Sequence, residues 1–309
     1  MNRTIKIGTR GSQLALWQAH EVQKQLQSAF PDIQTEIVVI KTKGDIILDV
    51  ALSKIGDKGL FTKEIEQALL NGDIDLAVHS LKDMPTELPD NLILGGVLER
   101  GEVRDVFLSR DKRPLSTFTS KDKIATSSLR RQAQLLHYNP ALNIVDIRGN
   151  VNSRIQKMSD GYCDALIMAG AGIQRLGLEH LITQYLEPET VMPAVSQGAV
   201  TIEIREGDEE IYPIIDAINH LPTWYQVMAE RAFLRTMEGG CQVPVACFSE
   251  VADGNMKMRA MVASLDGRII VKDVMETTLD EATEKAIEMA FSMLDAGAEK
   301  ILESIRGND

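Results

Sequence analysis

Cysteine is scarce in this chain: Cys163, Cys241 and Cys247 are the three present in 309 residues, and no two stand in a Cys-x-x-Cys pair. They are too few and too scattered for a disulfide framework, so reduced thiols are expected. Long apolar runs are missing as well. No segment approaches the roughly 18 apolar residues of a membrane-spanning helix, and Met1 to Gly8 holds no run of signal-peptide length, so a cytoplasmic protein away from the membrane is expected. Basic charge is in deficit, with 33 Lys and Arg against 45 Asp and Glu and a net charge of −12, which argues against nonspecific binding to nucleic acid or anionic lipid. Neither a Gly-x-x-x-x-Gly-Lys-Ser/Thr phosphate loop nor a Gly-x-Gly-x-x-Gly turn occurs, which disfavours nucleotides. None of His20, His79, His137, His180 and His220 forms a motif with Cys241, which weakens a cysteine-dependent hydrolase, and no metal site is expected.

The rest of the composition is ordinary for a globular protein, with 44% hydrophobic and 25% charged residues, and the length suits two or three domains. Short apolar strands alternate with amphipathic helices. Thr4 to Gly8 reads as a strand, Ser12 as the N-cap of a helix carrying Leu14, Trp17, Ala19, Val22 and Leu26, and Asp75 to His79 as a strand running into Ser80-Leu81-Lys82-Asp83-Met84-Pro85. Hinge signals fall at Glu99 to Arg104 and at Met192 to Val200. The strand Ala199 to Ile204 then returns to the first domain, giving a discontinuous domain of residues 1–98 and 199–218, a second of 99–198 and a third of 219–309. The third reads as α+β, with strands joined by turns at Asp253-Gly254 and Asp266-Gly267 and two helices, Asp280 to Leu294 and Ala298 to Ile305.

Charge is distributed unevenly along this pattern. Between Lys123 and Arg154 stand five basic residues, Lys123, Arg130, Arg131, Arg148 and Arg154, against the single acid Asp146. Several of these arginines, with Ser128, sit where a strand gives way to a helix, as does Arg10 in Thr9-Arg10-Gly11-Ser12. Helix N-termini favour anions, and the guanidinium fork pairs with carboxylates, so a ligand with several carboxylates is the better guess. Asp83 stands at the C-terminal end of a strand, where open α/β sheets bind ligands; it reads as an acid, base or cation stabiliser, or as a turn former. Lys54 to Phe61 reads as a mobile ligand loop or a solvated turn. Cys241, between two glycines and Pro244, is a turn-filling thiol or a nucleophilic or cofactor-bearing sulfur. Cys163 and Cys247 read as core.

Six stretches in order carry a resemblance over nearly the whole chain: Thr9 to Ala19, Lys58-Gly59-Leu60-Phe61, His79 to Pro85, Thr126 to Arg131, Arg148-Gly149-Asn150-Val151 and Gly239-Gly240-Cys241-Gln242-Val243-Pro244. Together they resemble hydroxymethylbilane synthase, also called porphobilinogen deaminase. The resemblance implies two hinged periplasmic-binding-protein-like α/β domains plus a smaller C-terminal α+β domain. It implies a dipyrromethane cofactor attached through Cys241, on which four porphobilinogen molecules lose ammonia and condense into a linear oligopyrrole that is released by hydrolysis. It implies Asp83 as the catalytic carboxylate, Lys82, Ser128, Arg130 and Arg131 as cofactor binders, and Arg10, Ser12, Arg148, Arg154, Arg175 and Gln197 as substrate binders. Ser80 supports them, and Lys54, Lys58 and Phe61 belong to the active-site loop. A cytoplasmic monomer is implied. Two positions depart from the family pattern: Lys43, where relatives often carry arginine, and Ser196, where glycine is frequent. The competing expectation is a noncatalytic hinged binder of an anionic metabolite, which accounts for the arginines but not for Asp83 or the Gly-Gly-Cys loop.

Overall fold

The computed structural model describes residues 3–46, 59–237 and 243–307. Lys54, Lys58 and Cys241 lie outside the described residues. In chain order the elements are β1 (Thr4–Thr9), α1 (Gln13–Ala29), β2 (Gln34–Val39), α2 (Lys43–Ile46), α3 (Lys63–Leu70), β3 (Leu76–Ser80) and β4 (Leu92–Val97). They continue with β5 (Asp105–Ser109), β6 (Lys123–Ala125), α4 (Leu129–Tyr138), β7 (Asn143–Val145), α5 (Val151–Ser159), β8 (Ala165–Ala169), α6 (Gly170–Arg175) and β9 (Gln184–Leu186). Then follow β10 (Val200–Arg205), α7 (Tyr212–Asp216), α8 (Leu221–Thr236), β11 (Val245–Ala252), β12 (Asn255–Ala263), β13 (Ile270–Thr278), α9 (Ala282–Met293) and α10 (Glu299–Arg306). The chain divides into two compact units, one of Met1–Gly101 and Gly198–Trp224, the other of Glu102–Gln197 and Tyr225–Asp309.

In the first unit a five-stranded sheet runs β2-β1-β3-β10-β4. β1 is parallel to both β2 and β3, and β10 is antiparallel to β3 and β4. Period-2 alternation sends Ile5, Ile7, Leu76, Val78, Ile202 and Ile204 to one face, against Ala19, Val22 and Leu26 of α1. Ala77 goes to the other face, against Ile65 and Leu69 of α3. Gly8 lies where an added Cβ would stand 2.2 Å from Ile74 Cδ1, so only glycine lets the strand pass that close.

The second unit repeats the arrangement with the order β7-β6-β8-β5-β9, three parallel strands followed by an antiparallel one and a fifth antiparallel to that. It also holds an antiparallel sheet β11-β12-β13. One face of that sheet, with Met256, Met258, Ala260 and Val262, packs with Phe233 of α8 and with α9 and α10; Ala246, Phe248 and Met261 pack with Ala133 of α4. Two α/β sheets of like topology plus a small α+β portion is the fold class the sequence implies. The last strand begins at Ile270, because Ser264 to Ile269 forms the turn, in which Gly267 takes φ +69° and an added Cβ would stand 2.3 Å from Ala133 O. The two C-terminal helices are joined by a kinked π turn, Leu294–Ala298, that Gly297 permits at φ +110°.

Candidate active site

Within the first unit, the loops after β1 and β3 meet at the C-terminal ends of these parallel strands and line a cavity of about 70 Å³. Arg10 follows β1, and Asp83 ends the single 3-10 turn Leu81–Asp83 that follows β3. That turn stops because Met84 is extended at ψ 144°, as a residue before proline prefers. Arg10, Ser12, Phe61, His79, Ser80 and Asp83 all line the cavity, with the Asp83 side exposed.

Most of these groups are held by neighbours. Arg10 forms an ion pair with Asp45, Nη2 to Oδ1 at 2.5 Å and Nε to Oδ1 at 3.2 Å, and its guanidinium lies 4.2 Å from the centre of the Phe61 ring. Thr42 Oγ1 donates to Asp45 Oδ2 at 2.8 Å. Burial pushes the Asp45 carboxyl up, but the hydrogen bonds and charge of Arg10 and the Thr42 hydroxyl outweigh it and hold the group below its ordinary value. Ser12 caps α1, its Oγ accepting from Ala15 N at 3.3 Å. Ser80 Oγ accepts from Gln18 Nε2 at 2.7 Å. Lys82 is half-buried in the same turn as Asp83.

The second unit gathers another set around Asp105, the first residue of β5 and fully buried. Arg130 Nη2 donates to Asp105 Oδ2 at 2.8 Å, Arg131 Nη2 to Oδ1 at 2.7 Å, and Gln197 Nε2 to Oδ1 at 2.9 Å. Arg130 also donates to Met192 O, and Arg131 Nη1 to Ile167 O at 3.0 Å. Ser128 caps α4, accepting from Arg131 N. Burial pushes the Asp105 carboxyl up, yet the two guanidinium groups hold it well below the usual carboxylate range; Arg130 is shifted down, first by its own burial. Two cations share one anion here, and Arg131 Nε is sealed from solvent without an acceptor. The pair is therefore a buried cationic centre already oriented by a carboxylate.

Arg148 and Arg154 flank the start of α5. Gly149 between them takes φ +120°, its carbonyl accepts from Arg154 Nε at 2.7 Å, and Asn150 caps the helix by accepting from Ser153 N at 2.9 Å. Arg175 is the last residue of α6. Among the described residues no group of three or more His, Cys, Asp or Glu could hold a metal ion, and no helix is long and apolar enough to cross a membrane.

Sequence reasoning missed the acids. Asp105 opens an otherwise apolar strand, an odd place for a carboxylate, and that oddity was the available signal. Asp45 lies in the four-residue helix α2, too short for any periodicity to reveal its contacts. His79, Glu66 and Glu203 were missed for a third reason. His79 falls on the same β3 face as Ala77, Glu203 faces Ala77 across the β3–β10 pair, and both thus look toward α3 and Glu66, a relation that exists only once the sheet has formed.

Comparison with known proteins bears on this geometry directly. Residues 5–213 match the family model described as porphobilinogen deaminase, dipyromethane cofactor binding domain, and residues 224–295 match the porphobilinogen deaminase C-terminal domain. A porphobilinogen deaminase of Syntrophomonas wolfei is 49% identical over 97% of this chain and 98% of its own length. One of Desulforamulus reducens is 46% identical over 100% of both. Among solved structures, a TRAP periplasmic solute binding protein of Desulfovibrio salexigens aligns over 72% of this chain and 74% of its own at 9% identity, with a TM-score of 0.45; the sheet topology itself carries the fold assignment.

Proposed function

Because this chain belongs to the porphobilinogen deaminase family, we propose that it deaminates and condenses porphobilinogen into linear hydroxymethylbilane, a transferase step of tetrapyrrole biosynthesis. The observation that carries this reading is that Asp83 and Arg10 line one cavity at the C-terminal ends of parallel strands. Porphobilinogen brings an acetate, a propionate and an ammonium-bearing carbon. A guanidinium recognises the first two, and each charge-assisted hydrogen bond is worth roughly 1.5–3 kcal/mol. The Asp83 carboxylate stabilises the positive charge that develops on the substrate as ammonia leaves, because a fixed anion already in place needs no reorganisation as that charge forms.

The residues of the second unit fit a group bearing several carboxylates. Arg130, Arg131 and Asp105 together leave one uncompensated positive charge, and the sealed Arg131 Nε–H lacks an acceptor. Lys82, Ser128, Arg130 and Arg131 would hold the dipyrromethane, and Cys241 would bear it covalently. When bound, that group supplies the carbon nucleophile on which the pyrrole chain grows. Arg10, Ser12, Arg148, Arg154, Arg175 and Gln197 meet the substrate and growing chain, with Lys54, Lys58 and Phe61 contributing as well. Residues 1–98 with 199–218, 99–198 and 219–309 act as three domains, and the protein works as a cytoplasmic monomer without nucleic acid.

Intact mass under denaturing conditions tests the attachment. The protein from a host able to make porphobilinogen should exceed its sequence mass by one dipyrromethane, and Cys241→Ser should abolish the increment. A bare wild-type chain from such a host would contradict the assignment.

A further inference from the structure

Behind the cavity wall of the first unit lies a cluster of ionisable groups to which the reading above gives no role. His79 Nε2 stands 3.1 Å from Glu203 Oε2, the imidazole 5% and the carboxylate 0% exposed. Glu66 on α3 is buried with them. Glu203 Oε1, Glu66 Oε1 and Thr62 Oγ1 are all sealed from solvent without a hydrogen-bond partner. Native proteins leave few such atoms, and three in one cluster call for a physical account. The charge of Glu203 reaches the Glu66 carboxyl, and two carboxylates coupled away from water cannot both stay ionised at low cost, so a retained proton relieves the repulsion and turns one acceptor into a donor.

The cluster reaches the cavity at two points, since His79 and Thr62 both line it. His79 lines the cavity, and with Nε2 turned to Glu203 the ring nitrogen left for a cavity ligand is Nδ1. Burial pushes the Glu66 carboxyl up and the charge of Glu203 adds to the rise; Thr62, His79 and Lys63 oppose it, the Thr62 hydroxyl without reaching hydrogen-bond geometry.

We propose that His79, Glu203 and Glu66 form a proton relay behind this cavity, the two carboxyl groups storing one proton and His79 Nδ1 exchanging protons with the bound pyrrole. The role in turnover rests on the deaminase reading; the stored proton does not. In each condensation the carbon–nitrogen bond of the substrate breaks with its electron pair leaving on ammonia, and a carbon–carbon bond forms to the terminal pyrrole. The hydrogen on that ring carbon must then depart as a proton, its electron pair restoring the aromatic ring. His79 Nδ1 takes this proton while its Nε2 proton passes toward Glu203, and the return transfer to ammonia releases ammonium and resets the relay. No proton is gained or lost over the cycle. His79 is the transferring residue, and Glu203 and Glu66 position it and fix its charge.

Two measurements on the full-length protein test this separately. A carbon-13 titration of the glutamate carboxyls should show a Glu66 midpoint raised above the ordinary glutamate value of about 4.3, its signal lost from the spectrum in Glu66→Gln; a Glu66 midpoint at the ordinary value would overturn the stored proton. In cofactor-loaded enzyme, His79→Gln keeps a donor toward Glu203 but cannot transfer a proton. It should lower kcat by roughly 10²-fold with KM for porphobilinogen unchanged, and flatten the acid limb of the pH profile. Wild-type kcat and pH profile in that variant would overturn the relay. Loaded wild-type protein that fails to consume porphobilinogen would sink the deaminase reading instead, with the carboxyl titration still deciding whether the proton is stored.

Discussion

Asp105 and Arg131 meet at 2.7 Å with the carboxylate wholly shielded from water, and Arg130 closes on the second carboxylate oxygen at 2.8 Å. One acid thereby fixes two neighbouring cations at the start of a helix. Removing it leaves two buried guanidinium groups facing each other, and breaking such a buried pair costs about 3–5 kcal/mol. Asp105→Ala should lower unfolding free energy by that order in urea titrations, far beyond the cost of an exposed aspartate.

The same pair fixes a pH dependence. The Asp105 carboxyl is depressed in the folded protein, so its contribution is complete above the unfolded value of roughly 3.9 and is lost as pH falls through the folded value. Wild type and Asp105→Ala should therefore differ in stability by a constant amount near neutrality and converge in strong acid. A gap that widened on acidification would contradict the pairing.

Arg10 is aimed by two contacts, the Asp45 carboxylate and the Phe61 ring. Cation–π contacts at exposed sites are worth about 0.5–1 kcal/mol, so Phe61→Leu should raise KM for porphobilinogen roughly two- to five-fold with little change in kcat. Asp45→Asn should act in the same direction, since it frees the guanidinium to wander. Steady-state kinetics of both variants check this.

Ser196 adopts φ +59°, the left-handed region, while its hydroxyl is sealed without a partner and its N–H donates to Glu230 Oε2 at 2.7 Å. The left-handed conformation costs a side-chain-bearing residue about 1–2 kcal/mol, and glycine's extra freedom in the unfolded chain takes back roughly 0.5–1. Ser196→Gly should thus stabilise the protein by up to about 1 kcal/mol, seen as a higher Tm without loss of turnover.

Cys163 is buried, and burial with the nearby Asp164 charge pushes its thiol up to about 11; Cys247 is buried as well. If Cys241 is held in a thioether, the native loaded protein should resist iodoacetamide. Peptide mapping should then find modification at Cys163 and Cys247 only after denaturation.

The alternating strands, the cap at Ser12 and the Asp266-Gly267 turn were legible because they depend on near neighbours in sequence. The position of Asp83 at the end of the turn after β3 was legible because a strand ends and a proline follows. The roles of Asp45 and Asp105 were not, since what an aspartate does depends on which arginine the fold brings to it: Arg10 lies 35 residues from Asp45, and Arg131 lies 26 from Asp105. Ser196 was visible as a departure from the family pattern, but only its backbone angle explains why glycine suits the position.

The most direct test of the central claim is product formation by loaded Asp83→Asn protein beside loaded wild type, with intact mass confirming equal cofactor content. Wild type should release one hydroxymethylbilane for every four porphobilinogen molecules consumed, and the variant, retaining the shape but not the charge, should be slower by roughly 10²-fold or more. Equal rates in the two proteins would contradict the account.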